Sequence, residues 1–397
     1  MKILHAVEFY YPFIGGAQEV VRHLSERMVK AGHDVTVATS VMENRKSNTH
    51  NGVKIVEFNI SGNSVNGIKG EKKKYADYLI NGDFDIIMTY AAQQWTTDVL
   101  LENIDNIKTK KVIVPCGYSA LYDPSYKKYY ELMPQKLEKF DASIYLSSDY
   151  RDINFAKEHG IRNTVLIPNG ADENDFAEEL TPERQSRLRN SYGIGGLVIM
   201  TIANYTGEKG HLELLDVYKK LPLPKATLVS AGTIKPHDGC FDEFERQAEI
   251  INLSRKHIGK RVVMIDGSNR KTVYDMLKLA DIFVFLSNIE ASPLVIFEAA
   301  AAGTPFVATA AGNIPEIAQW TNSGIVVKTI AMPNGRVSAD KRDALIQIAK
   351  LAHNRKKRQQ MGTNGRTAWK KNYTWDKLAK KYLSLYEDIL SGKKIQS

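Results

Sequence analysis

Asp281 to Ile317 reads DIFVFLSNIEASPLVIFEAAAAGTPFVATAAGNIPEI, and the rest of the chain is organised around it. Ile282–Leu286 is a short apolar run of the kind that forms a buried strand. A polar loop, Ser287–Ala291, follows. Ser292 suits a helix N-cap and Pro293 the first helical position, so a helix should open there. Glu290 then lies in the loop before that helix and Glu298 inside it. The first free backbone N–H groups belong to Leu294 and Val295 and make an anion site at the positive helix end. One turn of ~5.4 Å further on, Glu298 shares their face. A diphosphate on the helix tip would set a sugar beside Glu298, whose carboxylate can accept from two vicinal hydroxyls. Glu290, on the other side of the tip, reaches what the diphosphate carries. The geometry suits a nucleotide-diphosphate sugar. Two glutamates around an apolar helix also fit a solvated surface, so the remainder of the chain decides.

At 397 residues the chain can form two domains with full cores. Hydrophobic residues at 43% and charged residues at 25% are ordinary for a globular protein. Cys116 and Cys240 cannot make a disulfide framework, which points to a reducing compartment. The start, MKILHAVEFYYPF, is too short and polar in its apolar run for a signal peptide. No run reaches the ~18 apolar residues of a membrane span. The formal charge of +9 is concentrated: Lys341 to Lys371 holds ten Lys or Arg and the single acid Asp343. A solvated helix face explains this run, and so does attraction to anionic lipid. Nucleic acid is disfavoured, because the run lacks interleaved aromatics.

Read in order, strand Lys2–Val7 leads through Gly15-Gly16 into a helix whose apolar residues Val20, Val21, Leu24 and Met28 recur at helical spacing. Strand Val35–Ala38 completes a βαβ unit without the GxGxxG of nicotinamide-binding folds. Residues 61–74 read as a glycine- and lysine-rich loop. Asp83-Phe84-Asp85 matches a metal-binding DxD but sits at a turn before strand Asp85–Met88. Gln93, Gln94, Trp95 and Asp98 follow that strand's C-terminal end, where open α/β sheets bind ligands. Pro115-Cys116-Gly117-Tyr118 forms a second loop on the same edge. Tyr126–Phe140 reads as a helix interrupted at Pro134, with Tyr129, Leu132 and Met133 as core contacts. The pattern breaks near Gly170 and resumes with strand Leu197–Ile202. Helix Leu212–Lys220, strand Ala226–Ser230, helix Asp242–Ile258, strand Arg261–Ile265 and helix Thr272–Ala280 lead to the opening stretch. Alternation throughout predicts two parallel, doubly wound sheets. Lys209 sits near a helix start, where a cation is unfavourable unless it meets an anion. His237 and Cys240 lack partners at zinc spacing. Trp375 to Ile389 has the spacing of a long amphipathic helix that packs back on the first domain.

These residues resemble the retaining GT-B glycosyltransferases of family 4, the group 1 glycosyltransferases. The resemblance rests on Gly15-Gly16, Ile167-Pro-Asn-Gly-Ala-Asp172, Gly207-Glu-Lys-Gly210, and Glu290 with Glu298 followed by Ala299, Gly303, Pro305, Gly312 and Glu316. It implies two Rossmann-like domains facing each other across a cleft. Residues 1–170, with the C-terminal helix 373–397, are the acceptor side, and residues 171–372 bind the donor. By the same resemblance Lys209 meets the donor diphosphate, Glu290 the transferred sugar and Glu298 the ribose. Gly16, with Gly15, lies against the diphosphate; Ser292, Leu294 and Val295 take phosphate or sugar oxygens; Gly267 falls in the base-binding loop. Asn204 stands where many members have Arg, and the loop at Pro115–Tyr118 lacks the His many members carry there. Gln94, Trp95, Asp98 and Tyr118 are the acceptor-side candidates.

The expected reaction is retaining transfer of a hexose from a nucleotide-diphosphate sugar to an acceptor hydroxyl, with no metal and no cofactor. Lys209 and the helix end stabilise the leaving diphosphate, and domain closure excludes water. The expected acceptor is a lipid-linked or polysaccharide glycan in cell-envelope biosynthesis. The expected setting is the cytoplasm, at the inner membrane face if the basic segment binds anionic lipid. The alternative is a non-catalytic protein that binds sugar nucleotides on a degenerate GT-B fold.

Overall fold

The computed structural model describes residues 1–395 apart from 234 and 238. The chain divides into two compact units: unit 1 is residues 1–169 with Trp375 onward, and unit 2 is Gly170–Thr374.

Unit 1 begins with β1 (Lys2–Ala6), α1 (Gly16–Lys30), β2 (Asp34–Ser40), β3 (Thr49–His50) and β4 (Val53–Phe58). A hairpin, β5 (Ile60–Asn63) and β6 (Gly67–Gly70), precedes α2 (Lys72–Asn81), β7 (Ile86–Tyr90), α3 (Trp95–Glu102) and β8 (Lys110–Val114). Then come α4 (Lys127–Leu137), β9 (Ala142–Tyr145), α5 (Arg151–Glu158) and β10 (Thr164–Leu166). The sheet runs β10-β9-β8-β7-β1-β2-β4-β3, parallel except for β3. Strands of a parallel sheet are covered on both faces, so they read as continuous apolar runs. Leu4, Ile87 and Ile113 face a core shared with Leu79, Leu100, Met133 and Phe155 of α2 to α5.

Unit 2 contains α6 (Pro182–Tyr192), β11 (Leu197–Ile202), α7 (His211–Lys220), β12 (Ala226–Gly232), α8 (Phe241–Leu253), β13 (Lys260–Asp266) and α9 (Arg270–Leu279). It continues with β14 (Ile282–Phe285), α10 (Leu294–Ala302), β15 (Phe306–Ala308), α11 (Ile314–Thr321), β16 (Gly324–Val326), β17 (Thr329–Ala331), β18 (Val337–Ala339), α12 (Lys341–Ala352) and α13 (Arg355–Asn372). The order β13-β12-β11-β14-β15-β16 is all parallel. It is the 3-2-1-4-5-6 arrangement of a doubly wound sheet. Because side chains alternate along a strand, Val198 and Met200 enter one core and Ile199 the other.

Helix α14 (Trp375–Leu390) belongs to unit 1. Trp375 stacks on His23 at 5.2 Å, and Arg27 Nε donates to Asp376 at 2.8 Å. Tyr386 and Ser25 flank the buried ring of His5 at 3.4 and 2.8 Å. Of the expected helix 373–397, residues 396 and 397 lie outside the described residues. Among the described residues no helix is long and apolar enough to cross a membrane.

Several local expectations change. Helix α4 runs through Pro134, because buried Met133 and Leu137 hold it on the core against a proline cost of ~3 kcal/mol. Leu132 is exposed on that helix and is no core contact. The glycine-rich loop is the β5–β6 hairpin, with Ile60 buried. Helix α8 stops at Leu253, and Arg255–His257 is a separate short turn of 3-10 helix. Within the basic segment Arg366 donates to the carbonyls of Ala301 and Phe176, Arg358 to those of Leu351 and Ala352, and Lys341 to Asp216. Part of the excess charge therefore serves unit 2's own packing.

Candidate functional site

Strand order in unit 2 reverses between neighbours β11 and β14. At such a point an open parallel sheet leaves a crevice beyond the strand C-termini. The two loops that border it carry Lys209 and Glu290. Both depend on glycine. Gly210 has φ +71°, and a Cβ on it would lie 2.1 Å from the Leu286 carbonyl oxygen. Gly312 has φ +59°, and a Cβ there would lie 2.5 Å from the Ala291 oxygen. Only glycine tolerates both the left-handed backbone and this approach. Lys209 Nζ consequently reaches Glu290 Oε1 at 2.7 Å, and Ser287 Oγ donates to the same oxygen at 2.8 Å. The anion expected opposite Lys209 is thus, in this structure, a carboxylate of the protein. The two side chains are 27% and 12% exposed, so solvent screens the pair only in part.

Helix α10 starts one residue later than expected. Pro293, extended at φ −71° and ψ 121°, holds the cap position, and no side chain caps the helix. Ser292 is not the cap: its Oγ accepts from Asn313 Nδ2 at 3.0 Å, while Asn313 N donates to Ala291 O at 2.9 Å. Asn313 ties the loop down and leaves the helix end uncapped. The amides of Leu294 and Val295, the two residues after Pro293, have no acceptor among the described residues. They point a partial positive charge at whatever lies on the helix axis.

One turn along, Glu298 is 6% exposed. Its Oε1 accepts from Arg270 at 2.6 Å and from the Tyr274 hydroxyl at 3.1 Å, while Oε2 is buried without a partner. Burial, then the Glu298 charge, pushes the Tyr274 hydroxyl well above its ordinary pKa, so it stays a donor. Arg270 and Tyr274 escaped sequence reasoning; their spacing of four on a helix was the available signal.

Asn204 is turned toward the next loop: its Oδ1 accepts from Thr233 Oγ1 at 2.8 Å and Thr233 N at 3.3 Å. Asn204, Thr206, Thr233 and exposed Lys235 line a cavity of about 100 Å³. Gly267 N donates to Gly232 O at 2.9 Å, holding the loops after β12 and β13 together. His211, at the start of α7, is 1% exposed, and burial lowers its pKa to about 4.

The remaining predicted residues are in unit 1. Gly15 is the extended N-cap of α1, at φ −164°, and Gly16 is its first residue. A Cβ on Gly16 would meet nothing within 4 Å, so this helix tip is open. Gln94 is half-buried, and its Oε1 accepts from Glu8 N at 3.3 Å, joining the loops after β1 and β7. Three acceptor-side candidates are instead packing residues. Trp95 is fully buried edge-on to Tyr75, with Nε1 donating to Ser40 Oγ at 2.9 Å. Asp98 is 1% exposed and accepts from Ser64 N at 2.8 Å and Tyr129 Oη at 2.9 Å. Tyr118 is buried edge-on to Tyr130 and Phe155. Asp83 is an exposed turn residue paired with Lys2.

Comparison with known proteins agrees with this architecture. Residues 185–368 match the family described as Glycosyl transferases group 1. The N-acetyl-alpha-D-glucosaminyl L-malate synthase of Bacillus anthracis is 22% identical, over 97% of each chain. The GPI3 subunit of Saccharomyces cerevisiae phosphatidylinositol N-acetylglucosaminyltransferase is 23% identical over 97% of this chain and 82% of its own. The structure of Anabaena Alr3699/HepE in complex with UDP and glucose superposes with TM-score 0.74 at 16% identity, over 98% of this chain and all of that one. The fold is GT-B, and the segment that matches the group 1 glycosyltransferase family, a little under half of the chain, holds the uncapped helix tip flanked by Glu290 and Glu298.

Proposed function

We propose that the protein is a glycosyltransferase that moves a hexose, with retention at the anomeric carbon, from a nucleotide-diphosphate sugar to an acceptor hydroxyl. The observation that carries the reading is the Lys209–Glu290 pair, 2.7 Å apart, beside the unpartnered amides of Leu294 and Val295. A diphosphate on the helix tip receives those amides and the Lys209 ammonium. Lys235, bordering the cavity at Asn204, adds a cation where many members of the family use Arg. Glu290 accepts from hydroxyls of the sugar and Glu298 from the ribose. Within unit 1, the open helix tip at Gly16 and the half-buried Gln94 are the remaining candidates for substrate contact.

In the reaction the bond from the anomeric carbon to the phosphate oxygen breaks. The acceptor oxygen bonds to the same face of that carbon, and the acceptor proton passes to the leaving phosphate oxygen. Charge on the diphosphate is met by Lys209 and the helix end, so the scheme needs neither a metal nor a further cofactor. UDP is the first base to test, because a structural neighbour was solved with it. An N-acetylglucosaminyl donor is the first sugar to test, since two relatives are named for that group. The acceptor is a lipid-linked or polysaccharide glycan reached from the cytoplasmic face. The exposed lysines and arginines of α12 and α13 favour an anionic surface there.

A screen of UDP-, GDP- and ADP-sugars by thermal shift and donor hydrolysis tests the donor. Single-turnover transfer with the accepted donor then reads the anomer; an inverted product overturns the retaining reading. Loss of binding to anionic vesicles at all salt concentrations overturns the membrane assignment.

A further inference from the structure

Glu298 is held in an uneven way that the proposed reaction does not by itself require. Both neighbouring donors, Arg270 Nη2 at 2.6 Å and Tyr274 Oη at 3.1 Å, go to Oε1. Arg270 also donates to Tyr274 Oη, so the three groups form a closed triangle. Its guanidinium lies over the Tyr274 ring, 4.6 Å from the centroid, which fixes the plane of the fork. Oε2 is buried and unpartnered in a side chain only 7% exposed. A buried carboxylate oxygen without a donor is costly unless a ligand supplies one. Arg270 is the first residue of α9, directly after the loop Gly267–Asn269, and Asn269 Oδ1 caps that helix by accepting from Thr272 N at 3.2 Å. The clamp is therefore anchored at the loop assigned to the base.

We infer that Arg270 and Tyr274 are positioning residues that saturate Glu298 Oε1 and aim Oε2 at the nucleotide's ribose diol, making the site select ribonucleotides over deoxyribonucleotides. This rests on the donor-site reading above. The chemistry is that of an acceptor-only oxygen: it pairs with a sugar hydroxyl, and with a deoxy carbon it remains unpaired. Selectivity of roughly ten- to a hundredfold follows from leaving one such buried group unsatisfied. Without the clamp, the carboxylate turns, accepts water on both oxygens and loses its preference.

The test uses the full chain and isothermal titration with UDP, GDP and ADP, taking the tightest binder and its 2′-deoxy and 3′-deoxy forms. The expected result is a wild-type preference of at least tenfold over one deoxy form. Arg270→Gln and Tyr274→Phe should bring that ratio toward one while deoxy affinity changes little, and Arg270→Lys should keep part of it. Tyr274→Phe loses a single oxygen and guards against a folding defect in the arginine variants, with melting temperature as the control. If the variants weaken ribo and deoxy forms alike with the ratio intact, or if the wild type shows no ratio, the inference is overturned and the donor site stands. If the wild type binds none of the three diphosphates, the donor-site reading falls and this inference with it.

Discussion

Lys209 Nζ lies 2.7 Å from Glu290 Oε1, an ion pair that joins the loops after β11 and β14 where the strand order reverses. The residue assigned to the diphosphate and the one assigned to the sugar thus hold each other in place. Glu290→Ala should lower transfer by about a hundredfold or more, as for loss of a group that acts at the reacting centre. UDP affinity should stay within a few-fold. Lys209→Ala should instead weaken UDP binding by roughly tenfold or more, the worth of one charge-assisted hydrogen bond to phosphate. Titration and steady-state kinetics on the two variants separate the roles.

Leu294→Pro isolates the helix tip. Proline is tolerated at the first helical position, where its missing N–H has no intrahelical partner, and Pro293 before it is already extended. The helix should persist, with circular dichroism unchanged and a melting temperature lowered only by lost packing of a half-buried leucine. Diphosphate affinity should fall several-fold, because one of two anion-facing amides is gone.

Gly210 and Gly16 should respond in opposite ways to alanine. At Gly210 the left-handed backbone costs about 1–3 kcal/mol, and the Leu286 carbonyl blocks the new methyl. Gly210→Ala should therefore lower the melting temperature and, by lifting Lys209, weaken diphosphate binding. Gly16→Ala meets no neighbour within 4 Å and should leave the melting temperature unchanged.

His211 makes unit 2 sensitive to acid. Burial lowers its pKa from 6.5 to about 4. A depressed folded-state value means that stability is fully present above the unfolded pKa and is lost as pH falls between 6.5 and 4. The loss is up to about 1.4 kcal/mol per pH unit. Urea titrations at pH 7 and pH 5 should show the drop, and His211→Gln should flatten it.

Much of the fold was legible because buried parallel strands read as apolar runs, as at Leu197–Ile202 and Ile282–Phe285. Helix α6 was not, since none of its residues is buried and no apolar stripe marks it. Its only local signals are Thr181-Pro182 at one end and left-handed Gly193 at the other. Trp95 misled for a different reason. It follows a strand end on the ligand-bearing edge, yet its ring turns inward against Phe58 and Tyr75. Glu290 and Glu298 were legible because both flank one helix start. Their partners were not: Arg270 meets Glu298 across 28 residues and Lys209 meets Glu290 across 81, contacts that periodicity does not encode.

The chain leaves unit 1 after Asn169 and re-enters it at Trp375. The two ends of unit 2 lie together, with Ala171 bridged in parallel to Thr374 and its amide donating to Tyr373 O at 3.0 Å. Unit 2 is therefore a closed insertion, complete as soon as Thr374 has been made. Unit 1 is not: α1 lacks its cover until α14 arrives, and His23, Arg27 and His5 wait for Trp375, Asp376 and Tyr386. On the ribosome, the half that starts first must finish last, its apolar helix face uncovered through the synthesis of some two hundred residues. The last helix is thus the seal on the first domain, and a stop codon just upstream of Trp375 would spare unit 2 while leaving unit 1 open.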